Sequence, residues 1–364
     1  MKYKKINVQG WCKTNKSVSQ VINIKEENNI FGAIDYAKDK GLKICSRGAG
    51  NSYGDSATIN KGIVLDFKNF NKIIKYNKHE KTIVCQSGTS IGQLLNITLK
   101  DNLTLCSIPG SPQVTVGGCI SHNVHGKDSH INGAFGNNVL SIKIITSSKE
   151  ILTFDLENEI GKKNANYVIG GIGLFGIIVE AKLKLVETHQ SIYVKRIIFN
   201  NINKITEIYK KNKKNHITIW VDTFSKNLRG FAEIGEYKNS KIIKNIKNNS
   251  IIINTMLKIQ KLINFKLNAF FVKLFNFQLF YTSLIFNKNK YKNLINYYFP
   301  FGQVPNHYSY FPKGMYEIQI FIPNQDNITN IKNIFQILKK YKIYSWLSGI
   351  KYHKKENFNF SFCN

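Results

Sequence analysis

The sequence predicts an α+β fold in two parts, and three observations carry that expectation. Short apolar strand patterns alternate with helical spacings through the first half. Several of those strands run directly into glycine-bearing loops. Near residue 190 the character changes, and stretches rich in Lys, Asn and Ile with few glycines take over. At 364 residues the chain is too long for one typical core, so two domains are expected, residues 1–190 and 191–364, divided at 188–192.

Each element has its own signal. Ile30, Ala33, Ile34 and Ala37 recur at helical spacing over residues 26–40, and Gly41 follows as a stop. Residues 42–45 read as a strand entering the first glycine loop. Residues 62–66 and 82–85 read as strands, and Ser90 caps a helix through Lys100. Residues 139–146 and 150–154 read as two strands about the polar turn at 147–149. A glycine-dense loop at 170–176 leads into 177–185, which alternates from Glu180 on as a half-buried strand. Beyond 190, residues 205–215 and 238–268 are rich in Lys, Asn and Ile, and aromatics concentrate between 264 and 322. The chain has no repeat and no low-complexity tract.

The bulk numbers narrow the class. Hydrophobic residues make up 43%, enough for a packed core. Lys and Arg number 52 against 22 Asp and Glu, a formal charge of +30. The lysines are spread along the whole chain with Asn and Ile, which reads as global bias; with no Arg-rich helix and no zinc spacing, nucleic acid is not an expected partner. A peripheral attraction to anionic membrane is compatible with the charge. The six cysteines, at 12, 45, 85, 106, 119 and 363, form no C-x-x-C pair; no metal site is expected, and their scatter suits reduced thiols in a cytoplasmic protein. The basic N-terminus lacks an apolar run, so no signal peptide is read. Residues 269–280 are the most apolar later stretch; too short and interrupted to span a bilayer, they read as a buried or half-buried element rather than a membrane-surface patch.

Residues 46–55 read Ser-Arg-Gly-Ala-Gly-Asn-Ser-Tyr-Gly-Asp. Glycines at 48, 50 and 54 open backbone angles that let a loop turn N–H groups around a pyrophosphate. The spacing is neither the G-x-G-x-x-G of a Rossmann turn nor a phosphate loop ending in Gly-Lys-Ser/Thr. A second segment, Thr115-Val-Gly-Gly-Cys-Ile-Ser-His-Asn-Val-His-Gly126, follows. Together with His125-Gly-Lys-Asp-Ser-His130, Gly133-Ala-Phe-Gly-Asn-Asn-Val139 and Gly170-Gly-Ile-Gly-Leu-Phe-Gly-Ile-Ile178, these segments resemble the vanillyl-alcohol-oxidase-type, or PCMH-type, FAD-binding domain over residues 40–185. Within that superfamily, His-Gly-Lys followed by Gly-x-Phe-Gly-Asn looks most like the decaprenylphosphoryl-β-D-ribose 2′-oxidases. The second half resembles them more loosely, through Trp220-Val-Asp222, Arg229-Gly230, Tyr316-Glu-Ile-Gln-Ile-Phe-Ile-Pro323, Ser348-Gly-Ile-Lys351 and Phe360-Ser-Phe362.

The resemblance implies a two-subdomain PCMH-type FAD-binding domain, followed by an α+β substrate (cap) domain with an antiparallel sheet. It implies FAD as cofactor, contacted by Arg47, Gly48, Ala49, Gly50, Asn51, Ser52, Tyr53, Gly110, Thr115, Val116, Gly117, Gly118, His122, Asn123, His125 and Ile177. It implies catalytic roles for His125, Lys351 and Gln319, with His130, Lys127 and Asp128 standing nearby. The activity implied is oxidation of a sugar hydroxyl, C2′ of a polyprenyl-phosphate-linked ribose, as the oxidase half of an epimerase completed by a short-chain reductase in cell-envelope biosynthesis. The alternatives are an aldonolactone or free-sugar oxidase of the same fold and a flavin-binding remnant without turnover. Three departures qualify the resemblance. Asn51 holds the place of the attachment histidine, which implies non-covalent FAD. Glu317 stands where the family has Gln. The chain ends at Asn364, before the Gly-Trp-Asn strand and the Tyr-x-x-Lys-Asp segment of the family, which implies a shortened substrate domain and low turnover.

Overall fold

The computed structural model describes residues 3–238, 269–285, 287, 289–300, 314–323, 327–343, 345 and 347–361. The stretch at 239–268, Phe362 and Cys363 lie outside the described residues. The five cysteines that are described are free thiols.

Three sheets carry the chain. In the first, β1 (Lys4–Gln9) and β2 (Lys16–Asn23) form an antiparallel hairpin, while β3 (Ile44–Arg47) and β4 (Ile63–Asp66) run parallel to β2, in the order β1-β2-β4-β3. Helix α1 (Glu27–Lys40) crosses from β2 to β3. It starts at a capping box of Glu26 and Asn29 and stops at Gly41, whose φ of 62° only glycine adopts readily. The face predicted from spacing is the face it buries: Ile30, Ala33, Ile34 and Ala37 pack with Ile22, Ile63 and Leu65. Strand β3 ends at Arg47, so the glycine loop leaves from the carboxyl end of a parallel strand.

The second sheet holds β5 (Ile73–Asn77), β6 (Thr82–Gln86), β8 (Val139–Ile145), β9 (Ile151–Asp155) and β10 (Ile177–Glu187), in the order β5-β6-β10-β8-β9, and β7 (Leu103–Leu105) pairs beside them on β10. Helix α2 (Ile91–Thr98) begins at the capping box of Ser90 and Gln93; its α-helix ends at Thr98 and a tighter turn covers Leu99–Asp101. Short helices α3 (Val116–Ser121) and α4 (Ser129–Asn132), then α5 (Glu159–Val168), complete this part.

At 188–190 the chain changes sheet. The third sheet is antiparallel throughout, with β11 (Ser191–Phe199), β12 (His216–Val221), β13 (Gly230–Glu236), β14 (Lys290–Asn293) and β15 (Gly349–Ile350) in the order β14-β11-β13-β12-β15. Helices α6 (Lys204–Lys211), α7 (Ala269–Ile285), α8 (Leu294–Tyr298) and α9 (Asn327–Lys340) accompany it. The main core crosses the junction: Ile192, Val194, Leu294 and Tyr297 pack into the same cluster as Leu183, Ile142 and Phe135. After β15 the chain returns to the first part, where the Lys354 N–H donates to the Ser129 carbonyl at 3.0 Å. That return sets the candidate site.

Candidate functional site

A cavity of about 3150 Å³ opens between the two parts. It exceeds the ~300–1,000 Å³ of an ordinary small-molecule site several-fold. Its walls are the glycine loop after β3, the loop before α3, residues 172–178, the β12–β13 face, and two returning segments at 315–323 and 347–355.

The glycine loop has the properties of an anion cradle. Gly50 takes φ +71°, and a Cβ built there would fall 2.1 Å from Arg47 Nη2. A Cβ on Gly48 would fall 2.1 Å from Thr115 Oγ1. Arg47 braces the loop from behind, its guanidinium donating to the Ala57 carbonyl (3.1 Å) and the Gln9 carbonyl (3.0 Å). Among the described residues, no backbone N–H of residues 48–54 donates to a protein acceptor. The opposite holds at the start of α3. There Val116 N donates to Thr89 O, Gly117 N to Ser87 O and Gly118 N to Thr115 Oγ1. It is therefore the loop, and not the start of the helix, whose N–H groups are left to donate to a pyrophosphate. Asn51 Nδ2 donates to Ser111 Oγ at 3.4 Å and ties the loop to its neighbour across the cleft. A long cleft with an uncommitted run of backbone donors at one end fits a dinucleotide such as FAD.

Of the residues read from the sequence as cofactor contacts, Gly48 through Tyr53, Gly110, Thr115, Gly117, Gly118, His122, His125 and Ile177 line this cavity. Arg47, Val116 and Asn123 do not. Arg47 acts on backbone carbonyls behind the loop. Val116 is fully buried in the core. Asn123 is buried too, with Oδ1 accepting from Gly136 N (2.8 Å) and Nδ2 donating to Glu356 Oε2 (3.0 Å). None of residues 133–139 lines the cavity. His130 also turns away, its Nε2 meeting the Asn215 carbonyl at 2.9 Å. His122 lines the cavity as a strut: Nε2 lies 2.9 Å from Ser56 Oγ and Nδ1 3.2 Å from the Gly118 carbonyl, and burial holds its pKa below the ordinary value.

The structure brings His125, Gln319 and Lys351 together. Gln319 Nε2 is 3.0 Å from His125 Nε2, and Lys351 Nζ is 3.3 Å from His125 Nδ1. Gln319 comes from the segment at 314–323, which forms no helix or strand. Lys351 directly follows β15, whose Gly349 and Ile350 pair with Trp220 and Ile219 of β12. Burial, then the positive charge of Lys351, holds His125 well below its ordinary pKa, so the ring is neutral. A neutral imidazole has one N–H. One ring nitrogen therefore donates and the other accepts, so Lys351 at Nδ1 and Gln319 at Nε2 take complementary roles set by the tautomer. Lys351 lines the cavity and is open to solvent there. Burial pulls its pKa down from the lysine value, opposed by Glu317 and Asp128. The ring of His353 stands edge-on to His125, centroids 4.8 Å apart.

Behind this group lie two further titratable side chains. Burial pulls Lys127 down to about 7; its ammonium donates to the Tyr297 carbonyl and sits 4.0 Å from the Tyr297 ring. Burial pushes the Asp128 carboxyl up to about 7, with Asn132 Nδ2 donating to Oδ2 at 2.9 Å. Lys127 reaches the cavity wall and Asp128 does not.

Sequence reasoning missed Glu356. Its buried carboxylate accepts from Asn123 Nδ2 (3.0 Å), Asn137 Nδ2 (2.6 Å), Ser361 Oγ (2.8 Å) and the Ala134 N–H. Phe358 packs where a Cβ on Gly136 would stand. The Gly-Ala-Phe-Gly-Asn-Asn segment is therefore a receptor for the returning chain that carries Lys351. Glu356→Ala strands several buried donors and is expected to cost about 3–5 kcal/mol of stability. Chemical unfolding of the FAD-loaded protein measures it, and a loss below about 1 kcal/mol would mean the clasp is not a structural tie.

Comparison with known proteins agrees with this geometry. Residues 18–155 match the family model described as FAD binding domain. The chain is 31% identical over 190 residues to the decaprenylphosphoryl-beta-D-ribose oxidase of Mycolicibacterium smegmatis, covering 51% of this chain and 41% of that protein. It is 24% identical over 218 residues to L-galactono-1,4-lactone dehydrogenase 1, mitochondrial, of Oryza sativa subsp. japonica, covering 59% and 36%. The chain thus spans less than half the length of these curated relatives. Among solved structures, 6-hydroxy-D-nicotine oxidase from Arthrobacter nicotinovorans aligns with a TM-score of 0.52 at 18% identity, covering 60% of this chain and 50% of that one. Residues 18–155 form an FAD-binding domain of the PCMH type, and FAD is the cofactor it takes.

Proposed function

We propose that the protein is an FAD-dependent oxidoreductase that oxidises a sugar hydroxyl, namely C2′ of a ribose carried on a polyprenyl phosphate. One observation carries this reading: the cavity is polar at His125, Gln319 and Lys351 and apolar along a flank that includes Trp220, Phe231, Leu279, Phe335 and Leu338. A free sugar or lactone gains nothing from that flank, whereas a lipid-linked sugar buries apolar chain against it. The similarity to the decaprenylphosphoryl ribose oxidase supports the same substrate class.

Held by the loop at residues 48–54, FAD would supply the hydride acceptor for the carbinol carbon. The side chains supply the rest. Lys351 in its neutral form takes the hydroxyl proton, and His125 and Gln319 hold its ammonium in line. Lys127 and Arg196 also line the cavity, Arg196 paired with Glu233 at 2.7 Å. FAD is held without a covalent bond, because Asn51 at the loop tip has no nucleophile; acid precipitation should release the flavin. Oxidation at C2′ leaves a ketone, and a short-chain reductase returning the hydride to the opposite face would complete an epimerisation.

The test is anaerobic loss of flavin absorbance with a short polyprenyl-phosphoryl ribose, free ribose, L-galactono-1,4-lactone and D-lactate. The lipid-linked sugar is expected to bleach the flavin at least ~100-fold faster than the others at equal concentration. Equal or faster bleaching by the lactone or lactate would overturn the substrate assignment.

A further inference from the structure

Among the described residues, helix α7 buries one side and leaves a second, apolar side exposed. Val272, Asn276, Phe280 and Ser283 are buried at successive helical turns, and Arg229 anchors the helix with its guanidinium 4.3 Å from the Phe280 ring. Leu274, Phe277, Tyr281 and Leu284, also spaced by three and four residues, are exposed together with Ile285, Arg229 reaching only the Tyr281 hydroxyl and the Phe277 ring at their edge. Leu274 and Phe277 are about half exposed, at 50% and 51%, and Ile285 is 72% exposed. A stripe of this kind on the outside of a protein marks a contact surface. Lys273 is the one charged residue of the helix.

The charge of the flanking sequence points to the kind of contact. Between Tyr237 and Tyr316 the sequence has twelve lysines and no aspartate or glutamate. An apolar stripe in a stretch whose charged residues are all lysines suits a segment that lies against the headgroups of an anionic bilayer. Among the described residues, no helix is long and apolar enough to cross a membrane. The packed side of the same helix reaches the cavity through Leu279, beside Trp220 and Phe231. We infer that α7 is a docking surface for anionic lipid membrane, set over the apolar flank of the cavity. There it brings the bilayer next to the wall that would receive a lipid tail. The docking claim stands on exposure and charge, while the delivery role rests on the proposed substrate.

The experiment is co-sedimentation of the FAD-loaded protein with phosphatidylcholine vesicles, with and without phosphatidylglycerol. The comparison variant is Leu274→Gln, Leu284→Gln, Ile285→Gln, which leaves net charge and the packed face unchanged. The parent is expected to bind the anionic vesicles in a salt-sensitive way, and the triple variant to bind at least ~30-fold more weakly with its FAD content retained. Should the triple variant fail to fold, Ile285→Gln alone, at the helix end, is expected to weaken binding about 3–5-fold. Equal binding by parent and variant would assign attraction to net charge alone and overturn the proposal. So would no binding to either vesicle, or a dimer that the variant makes monomeric, which would give the stripe to a second copy of the chain. Vesicle binding lost in the variant while soluble short-chain substrate still bleaches the flavin keeps this inference separate from the substrate assignment.

Discussion

Lys351→Met is expected to slow flavin reduction by the sugar substrate about 10²–10⁴-fold, the range that removal of a positioned proton acceptor produces, with FAD content unchanged. Methionine keeps the length and apolar stem of lysine and removes only the amine. The parent should also show a pH dependence that the variant lacks. Burial lowers the Lys351 pKa, and the neutral amine is the form that accepts a proton. The rate should therefore rise with pH through a pKa below the ordinary lysine value of about 10.4. In the variant that rise should vanish. A variant within about fivefold of the parent, or one that keeps the same pH profile, would remove Lys351 from proton transfer.

Gly50→Val is expected to lower FAD affinity by more than about 100-fold. Two costs combine. A β-branched residue at φ +71° is strained by roughly 1–3 kcal/mol. Its Cβ also displaces the Arg47 guanidinium from the Gln9 and Ala57 carbonyls, which releases the brace behind the donors of residues 48–54. The α1–β4 core and the second sheet do not touch this position, so the fold should persist. Fluorescence titration of the apoprotein with FAD reads the affinity, and a folded variant with full FAD content would move the cradle elsewhere.

Local signals in the sequence were legible where local chemistry decides the outcome. The α1 stripe, the Ser90 cap and the strand at Ile177 follow from spacing and capping alone, and the structure places them there. The two glycine-bearing segments marked the cavity wall because backbone freedom is written in residue type. What escaped depends on partners distant in the chain. Glu356 sits in a run of lysines with no motif of its own, and its meaning lies in Asn123, Ala134 and Asn137, more than two hundred residues earlier. The Gly133–Val139 segment reads as a flavin motif by resemblance, yet its Ala134 N–H and Asn137 carboxamide serve that carboxylate. Arg47, Val116 and Asn123 share motifs with residues that do line the cavity, but side chains alternate between cleft and core along a loop or short helix. For α7, composition revealed apolarity without revealing that only one face is covered.

On the proposed function, hydride leaves C2′ of a lipid-linked ribose in the cavity that holds Lys351, His125 and Gln319. The most direct measurement is single-turnover flavin reduction under anaerobic conditions, comparing polyprenyl-phosphoryl ribose carrying hydrogen or deuterium at C2′. Slower reduction with deuterium at C2′, and no slowing with deuterium at C3′, is the predicted result. Reduction insensitive to the label at C2′, or slowed only by the label at C3′, would contradict the assignment.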